Sequence, residues 1–440
     1  LERLTSFIRF MSVIKSTYFE GGHRLKKIKK FPILCMVIGS LAGGLVLSGC
    51  SSESKDKALK DSDITLITNV LPYGEVGATV VCDFGDTIDS SKLTKDSFKV
   101  EVEVNGKPQN RKINKVYTNN KAEVSEASKD GQYVVIELDE NDKHASTSTF
   151  DEEKFLSTRD NLDYKLTLTK EIKTKEGATF KASEQKNKIS NVVTPVVDDF
   201  KKGVYQDASG SKIQYRLFEP KKDPNKKYPL VLFLHGSGER GNDNYMQVVG
   251  NQGAVAWANP EQQKKNPAYV LAPQVEATEN LTAYWTEEPN YTTMMNLLKE
   301  TIDKYDIDKN RIYVVGMSNG GIGTWNVIKK NPGLFAAAVP ICGIGDLPGN
   351  KLVGEYGPMQ DTSVFKDIKD MPIWVFHAED DPLVDVRYSR DAVRAIKELG
   401  GSLIKYTEYP TGIVQPMGHF SWVPALQDKE MINWMFNQSK

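Results

Sequence analysis

Between residues 62 and 198 the apolar residues recur at every second position. Ala78, Val80, Cys82 and Phe84 form one such series, and Phe98, Val100, Val102 and Val104 another. Val134, Ile136 and Leu138 form a third, and Tyr164, Leu166 and Leu168 a fourth. A period of two puts one apolar and one polar face on each strand, as in half-buried antiparallel sheets. Turn clusters such as VNGKPQN, SKDGQ and TKEGA separate the runs, and no helical period intervenes. The expectation for 62–198 is a β-sandwich of immunoglobulin type.

The pattern changes in 199–440. Ile213, Tyr215 and Leu217 still alternate, as in an edge or early antiparallel strand. Continuous apolar runs follow: YPLVLFLHG (228–236), AYVLAPQ (268–274), RIYVVG (311–316), FAAAVPICG (335–343) and MPIWVFHA (371–378). Such runs mark strands covered on both faces, as in a parallel sheet. Helical spacing lies between them. Met295, Leu298, Ile302 and Tyr305 share one face, and Ile322, Trp325 and Ile328 another, stopped by Pro332-Gly333. Val393, Ile396 and Leu399 share a third, with Ser389 as the expected N-cap and Gly400-Gly401 as the stop. One closing helix is expected over 422–436. Alternating strands and helices predict an α/β domain with a mainly parallel sheet.

Composition adds limits rather than chemistry. The 440 residues carry a formal net charge of −1, with no long basic block outside the N-terminus, so no nucleic-acid partner is expected. Of the four cysteines, Cys35 and Cys50 fall near the N-terminus, and Cys82 and Cys342 in separate domains, so no disulfide framework is evident. The basic stretch KKIKK (26–30), an uncharged apolar run and Leu47-Ser48-Gly49-Cys50 describe an export signal over residues 25–50. The LSGC segment resembles the lipobox of bacterial lipoproteins, which implies lipidation at Cys50 and an extracytoplasmic, membrane-anchored chain. Residues 51–61 are polar and charged, as a tether would be. Residues 1–24 do not fit a signal peptide. We expect them to be a translated upstream leader, with Leu25 as the natural start; a native peptide from 1–24 found by mass spectrometry would exclude this.

The chemistry centres on Gly316-Met317-Ser318-Asn319-Gly320, placed after an apolar strand and before a helix. That context makes G-x-S-x-G a nucleophile elbow, in which flanking glycines leave room for a sharp turn presenting Ser318. A serine needs a base. His144 lies in the other domain, in a polar segment expected to be a solvated loop. His235 and His377 end apolar strands and read as structural. His419, in QPMGHFSW after the strand 402–409, is placed as the base. In FHAEDDPLVDV (376–386), Glu379, Asp380, Asp381 and Asp385 compete as the orienting acid. Asp381 is chosen for its Asp-Pro turn, with Asp380 in reserve. The order Ser318, Asp381, His419 is that of α/β hydrolases. The N–H of Asn319 and that of Ser237, with Gly236 next, are the expected oxyanion donors. Tyr284, Trp285 and Trp422 are candidates for the acyl pocket. No His-x-x-x-His or paired-Cys spacing points to a metal, and no cofactor is expected.

HGSGERG, GMSNGG, FHAEDDPLV and GHFSW resemble the bacterial esterase family of α/β hydrolases related to phospholipase/carboxylesterases, often labelled predicted peptidases. Some members carry an N-terminal immunoglobulin-like domain, as 62–198 would be. Ala378 departs from the glycine of many relatives. The resemblance implies acyl-ester hydrolysis through an acyl-enzyme. Surface anchoring and the β domain fit small esters or ester groups on polysaccharide. A serine peptidase would use the same triad, although no long β-propeller gate is present. A non-catalytic surface-binding protein is the third expectation. Oligomeric state is not legible.

Overall fold

The computed structural model describes residues 56–277, 285–346 and 356–440. The expected leader, its Cys35 and Cys50, and Tyr284 lie outside the described residues. Among those described, no helix is long and apolar enough to cross a membrane.

Beside a small three-stranded sheet and a two-stranded hairpin, most of the N-terminal strands make two facing antiparallel-rich sheets. One contains Ile64–Leu71, Gly74–Asp83, Tyr133–Leu138 and Ile113–Asn119, edged by Asn191–Val193. The other contains Asn187–Ile189, Tyr164–Leu168, Phe98–Val104 and Lys107–Asn110. The period-two residues Val80, Cys82, Val100, Val102, Ile136 and Leu166 meet between them in one core. Gly74–Asp83 is buried on both faces rather than one, because Val81 packs outward with Ile67, Tyr117 and Val135. His144 is half-buried, not solvated, and burial lowers its pKa.

The C-terminal domain is built on eight strands, numbered here within that domain. They are β1 (Lys201–Gln206), β2 (Lys212–Phe218), β3 (Tyr228–Leu234), β4 (Tyr269–Gln274), β5 (Ile307–Met317), β6 (Ala337–Ile341), β7 (Ile373–Ala378) and β8 (Ile404–Tyr409). Their order is β1-β2-β4-β3-β5-β6-β7-β8. The first two pairings are antiparallel and the rest parallel. Helices α1 (Asn290–Lys304), α2 (Asn319–Lys330) and α3 (Arg387–Glu398) and the closing helices α4 (Trp422–Gln427) and α5 (Lys429–Phe436) cover both faces. Strand β3 shows why its run is uninterrupted. Leu230, Leu232 and Leu234 enter one core with Leu298 and Ile396, while Val231 and Phe233 enter the other with Trp257 and Met435. Each such side chain stabilises the fold by about 1.5–3 kcal/mol on burial.

Three expectations change. Strand β1 was not legible: it is an edge strand with an exposed face, and Val204 is 61% exposed. The closing helix is two helices, because the Asp428 carboxylate caps the N–H groups of Glu430 and Met431 and starts a new one. Ser389 lies inside α3 rather than capping it, and its hydroxyl is turned to His377.

The two domains share a buried polar seam. Glu75, 1% exposed, takes two hydrogen bonds from Arg159, at 2.6 and 2.7 Å, and others from Thr68 and Thr147. The Arg159 guanidinium lies 3.9 Å over the ring of Tyr245 in the C-terminal domain.

Candidate active site

Ser318 lies between β5 and α2 with φ 53° and ψ −119°, a backbone strain that non-glycine residues rarely accept. The glycines around it are sterically required. A Cβ on Gly316 would lie 2.1 Å from the Gly320 carbonyl oxygen, and one on Gly320 would lie 1.9 Å from that of Leu234. The turn therefore closes only with hydrogen at both positions.

The structure brings Ser318, His419 and Asp381 together. His419 sits in the one-turn Gly418–Phe420 helix, 5% exposed, with Nε2 2.9 Å from Ser318 Oγ. Its Nδ1 lies 2.8 and 3.1 Å from the two Asp381 oxygens. A carboxylate only accepts, so Nδ1 carries the proton and Nε2 is free to accept from the serine. Asp381 follows β7, and its Oδ1 also takes the N–H groups of Leu383 and Val384 in the Asp-Pro turn. Burial alone would raise its pKa. The charge of His419 and the hydrogen bonds from His377 and His419 outweigh burial and hold the carboxyl well below the usual range. The competing acids are engaged elsewhere: Glu379 with Thr411, Asp380 with the Gly412 N–H, and Asp385 with Arg387.

Asn319 opens α2 and Ser237 opens the one-turn helix Ser237–Glu239, so neither N–H has an acceptor within its own helix. The loop bearing Ser237 abuts the nucleophile, since a Cβ on Gly236 would lie 3.6 Å from Ser318 Cβ. Gly236, the reserve donor, lies next to the Glu239 carboxyl: a Cβ there would be 3.1 Å from its Oε2. Glu239 was missed in the sequence. Its Oε1 accepts from Asn251 at 3.0 Å, and burial pushes its pKa up to about 7.

Of the expected pocket residues, Trp285 is fully buried, and its indole N–H donates to the His235 carbonyl. It packs in the core against Gly323 rather than facing an acyl group. Trp422 stands edge-on to His419, 5.6 Å between ring centres, and 4.6 Å from Phe420. His235 is structural: Nδ1 donates to the Gly236 carbonyl, Nε2 accepts from the Val275 N–H, and burial lowers its pKa to about 4.

The N-terminal domain reaches the site in two places, neither visible in sequence. The hairpin Ser148–Asp151/Leu156–Arg159 packs on the Ser237 loop. Arg240, 1% exposed, donates to Ser237 O and also to the hairpin carbonyls of Lys154 and Phe155. On the other side, Tyr73 packs edge-on against Phe420 and donates to the Gln415 carbonyl.

Among the described residues, one group of metal-binding type occurs, Cys342, Asp381 and His419. Burial and the Asp381 charge raise the Cys342 thiol well above its ordinary value, and Asp381 and His419 are hydrogen-bonded to each other. This is a hydrogen-bonded carboxylate–histidine pair with a protonated thiol beside it, not a deprotonated ligand set.

Comparison with known proteins agrees with this architecture. Residues 63–181 match the esterase Ig-like N-terminal domain, and residues 285–410 match the prolyl oligopeptidase family. No curated protein matches the chain. The crystal structure of a thermostable esterase is 40% identical, with TM-score 0.77, covering 86% of this chain and 100% of that one. An acylaminoacyl peptidase from Pyrococcus horikoshii is 14% identical, with TM-score 0.43, covering 64% of this chain and 47% of that one. A ferulic acid esterase is 18% identical, with TM-score 0.40, covering 54% of this chain and 98% of that one. Similarity to the thermostable esterase over its entire length places the chain in that protein's family, the serine hydrolases of α/β-hydrolase fold that carry an N-terminal immunoglobulin-like domain.

Proposed function

We propose that this serine hydrolase is a carboxylesterase of small acyl esters or of ester groups on polysaccharide, held outside the cytoplasm by a lipid on Cys50. The observation that carries the reading is the unbroken chain from Ser318 Oγ through His419 to Asp381. In the proposed reaction, Ser318 Oγ attacks the ester carbonyl while His419 Nε2 takes its proton. The oxyanion is received by the N–H groups of Asn319 and Ser237, each worth ~3 kcal/mol of transition-state stabilisation. His419 then returns the proton to the departing alcohol, and water releases the acyl group by the same steps in reverse. Asp381 holds the imidazole in the required tautomer and stabilises its cation.

A peptidase is the second reading, supported by the match of residues 285–410 to the prolyl oligopeptidase family. The test is hydrolysis of p-nitrophenyl acetate, butyrate and octanoate beside a panel of peptide amides, each with Ser318→Ala as control. Serine-dependent ester turnover without amide cleavage supports the esterase. Dominant amide cleavage replaces it with the peptidase, and no serine-dependent turnover refutes both. Metabolic labelling with a lipid precursor, lost in Cys50→Ala, tests the anchor.

A further inference from the structure

We infer that His377 is a positioning residue of the catalytic site, a second histidine that holds the Asp381 carboxylate in line with His419. His377 is fully buried at the end of β7. Its Nε2 lies 3.1 Å from Asp381 Oδ2 and 2.9 Å from the Val384 carbonyl oxygen. Both partners only accept, so Nε2 carries a proton and shares it between them. Its Nδ1 lies 2.8 Å from the Ser389 hydroxyl, itself fully buried in α3. The ring is thus fixed at both nitrogens, and Asp381 Oδ2 stands between two imidazoles.

Two other carboxylates face the ring, but each is held by an arginine. Glu408 on β8 is the register partner of His377, but its carboxylate is held by Arg390. Asp385 is paired with Arg387, Cys342 lies beside Asp381 as a protonated thiol, and Glu239 faces His419 from the Ser237 helix, unaltered by any substitution at His377 or Ser389. A structural histidine could satisfy itself on Val384 and Ser389 alone. The Leu383 and Val384 N–H groups anchor only Oδ1, and the reach from His377 fixes Oδ2, the oxygen nearer to His419 Nδ1. The donated hydrogen bond also draws charge from Asp381, which moderates its hold on the imidazolium of His419.

The inference rests on the serine-esterase reading, which wild-type ester turnover tests by itself. With active sites counted by an organophosphate, His377→Leu should lower kcat about ten- to a hundred-fold, the range for a lost hydrogen bond to a charged group, with KM nearly unchanged. The acid limb of its kcat/KM profile should move to higher pH, since an unshared Asp381 charge holds the His419 proton more tightly. His377→Gln, whose amide reaches the Nε2 position, should restore most of kcat and return the limb. An unmoved limb, or a Gln variant no better than Leu, would overturn the inference. If His377→Leu does not fold, Ser389→Ala decides: a several-fold kcat loss with a displaced limb supports the role, and wild-type kcat and profile refute it.

Discussion

Glu239, a half-buried residue beside the nucleophile loop, offers a prediction that can be worked through. It closes the one-turn helix that Ser237 opens, and its carboxyl accepts a hydrogen bond from Asn251. Burial raises its pKa from 4.5 to about 7. The folded chain therefore keeps a proton that the unfolded chain releases, so stability falls as pH rises between those values. The stabilising contribution is complete below about pH 4.5 and lost above about pH 7. At 1.36 kcal/mol per pKa unit, the difference is on the order of 3 kcal/mol. Glu239→Gln abolishes this titration while leaving an oxygen for Asn251. Thermal melting of the variant and the wild type, followed from pH 4.5 to 8, should show a Tm difference that moves in the variant's favour as pH rises. The change should total several degrees, given about 2–4 °C per kcal/mol for a domain of this size. A Tm difference independent of pH would refute the account.

Asp381→Asn should preserve the fold near neutral pH but leave His419 in the wrong tautomer, lowering kcat on the order of 10⁴-fold in steady-state ester assays. Gly320→Ala should prevent correct closure of the elbow, because its Cβ would lie 1.9 Å from the Leu234 carbonyl oxygen; the expected readout is loss of organophosphate labelling along with a large fall in Tm. Arg240→Met should leave the carbonyls of Ser237, Lys154 and Phe155 without their donor. The expected result is a kcat decrease of about tenfold or more with Tm lowered by a few degrees, measured on the full chain.

Legibility in the sequence followed how local each constraint is. The elbow could be read because five adjacent residues carry both its steric and its chemical requirement. Asp381 was separable from its three acidic neighbours because the following proline sets the turn. Strand β1 escaped because KKGVYQ has a solvent face and no continuous apolar run. Ser389 misled because local capping rules favour a serine before a helix, whereas its partner, His377, comes from a neighbouring strand. Trp285 read as a pocket residue because an aromatic near a sheet end looks the same whether it meets substrate or a glycine of α2. The hairpin contact to Arg240 joins residues 85 and 86 positions apart, beyond any periodic signal.

That contact bears on how such a protein can change over evolutionary time. A domain joined only by a linker can be exchanged for another of similar shape. Here the catalytic half contains a guanidinium whose acceptors lie partly in the other half, and a tyrosine ring capped by the other half's arginine. Separating the halves would take two carbonyl acceptors from that guanidinium and undo the packing around it. The immunoglobulin-like module is therefore not interchangeable cargo: a replacement would need a hairpin presenting two carbonyls at the same place, and the two folds are constrained to be inherited as a matched pair.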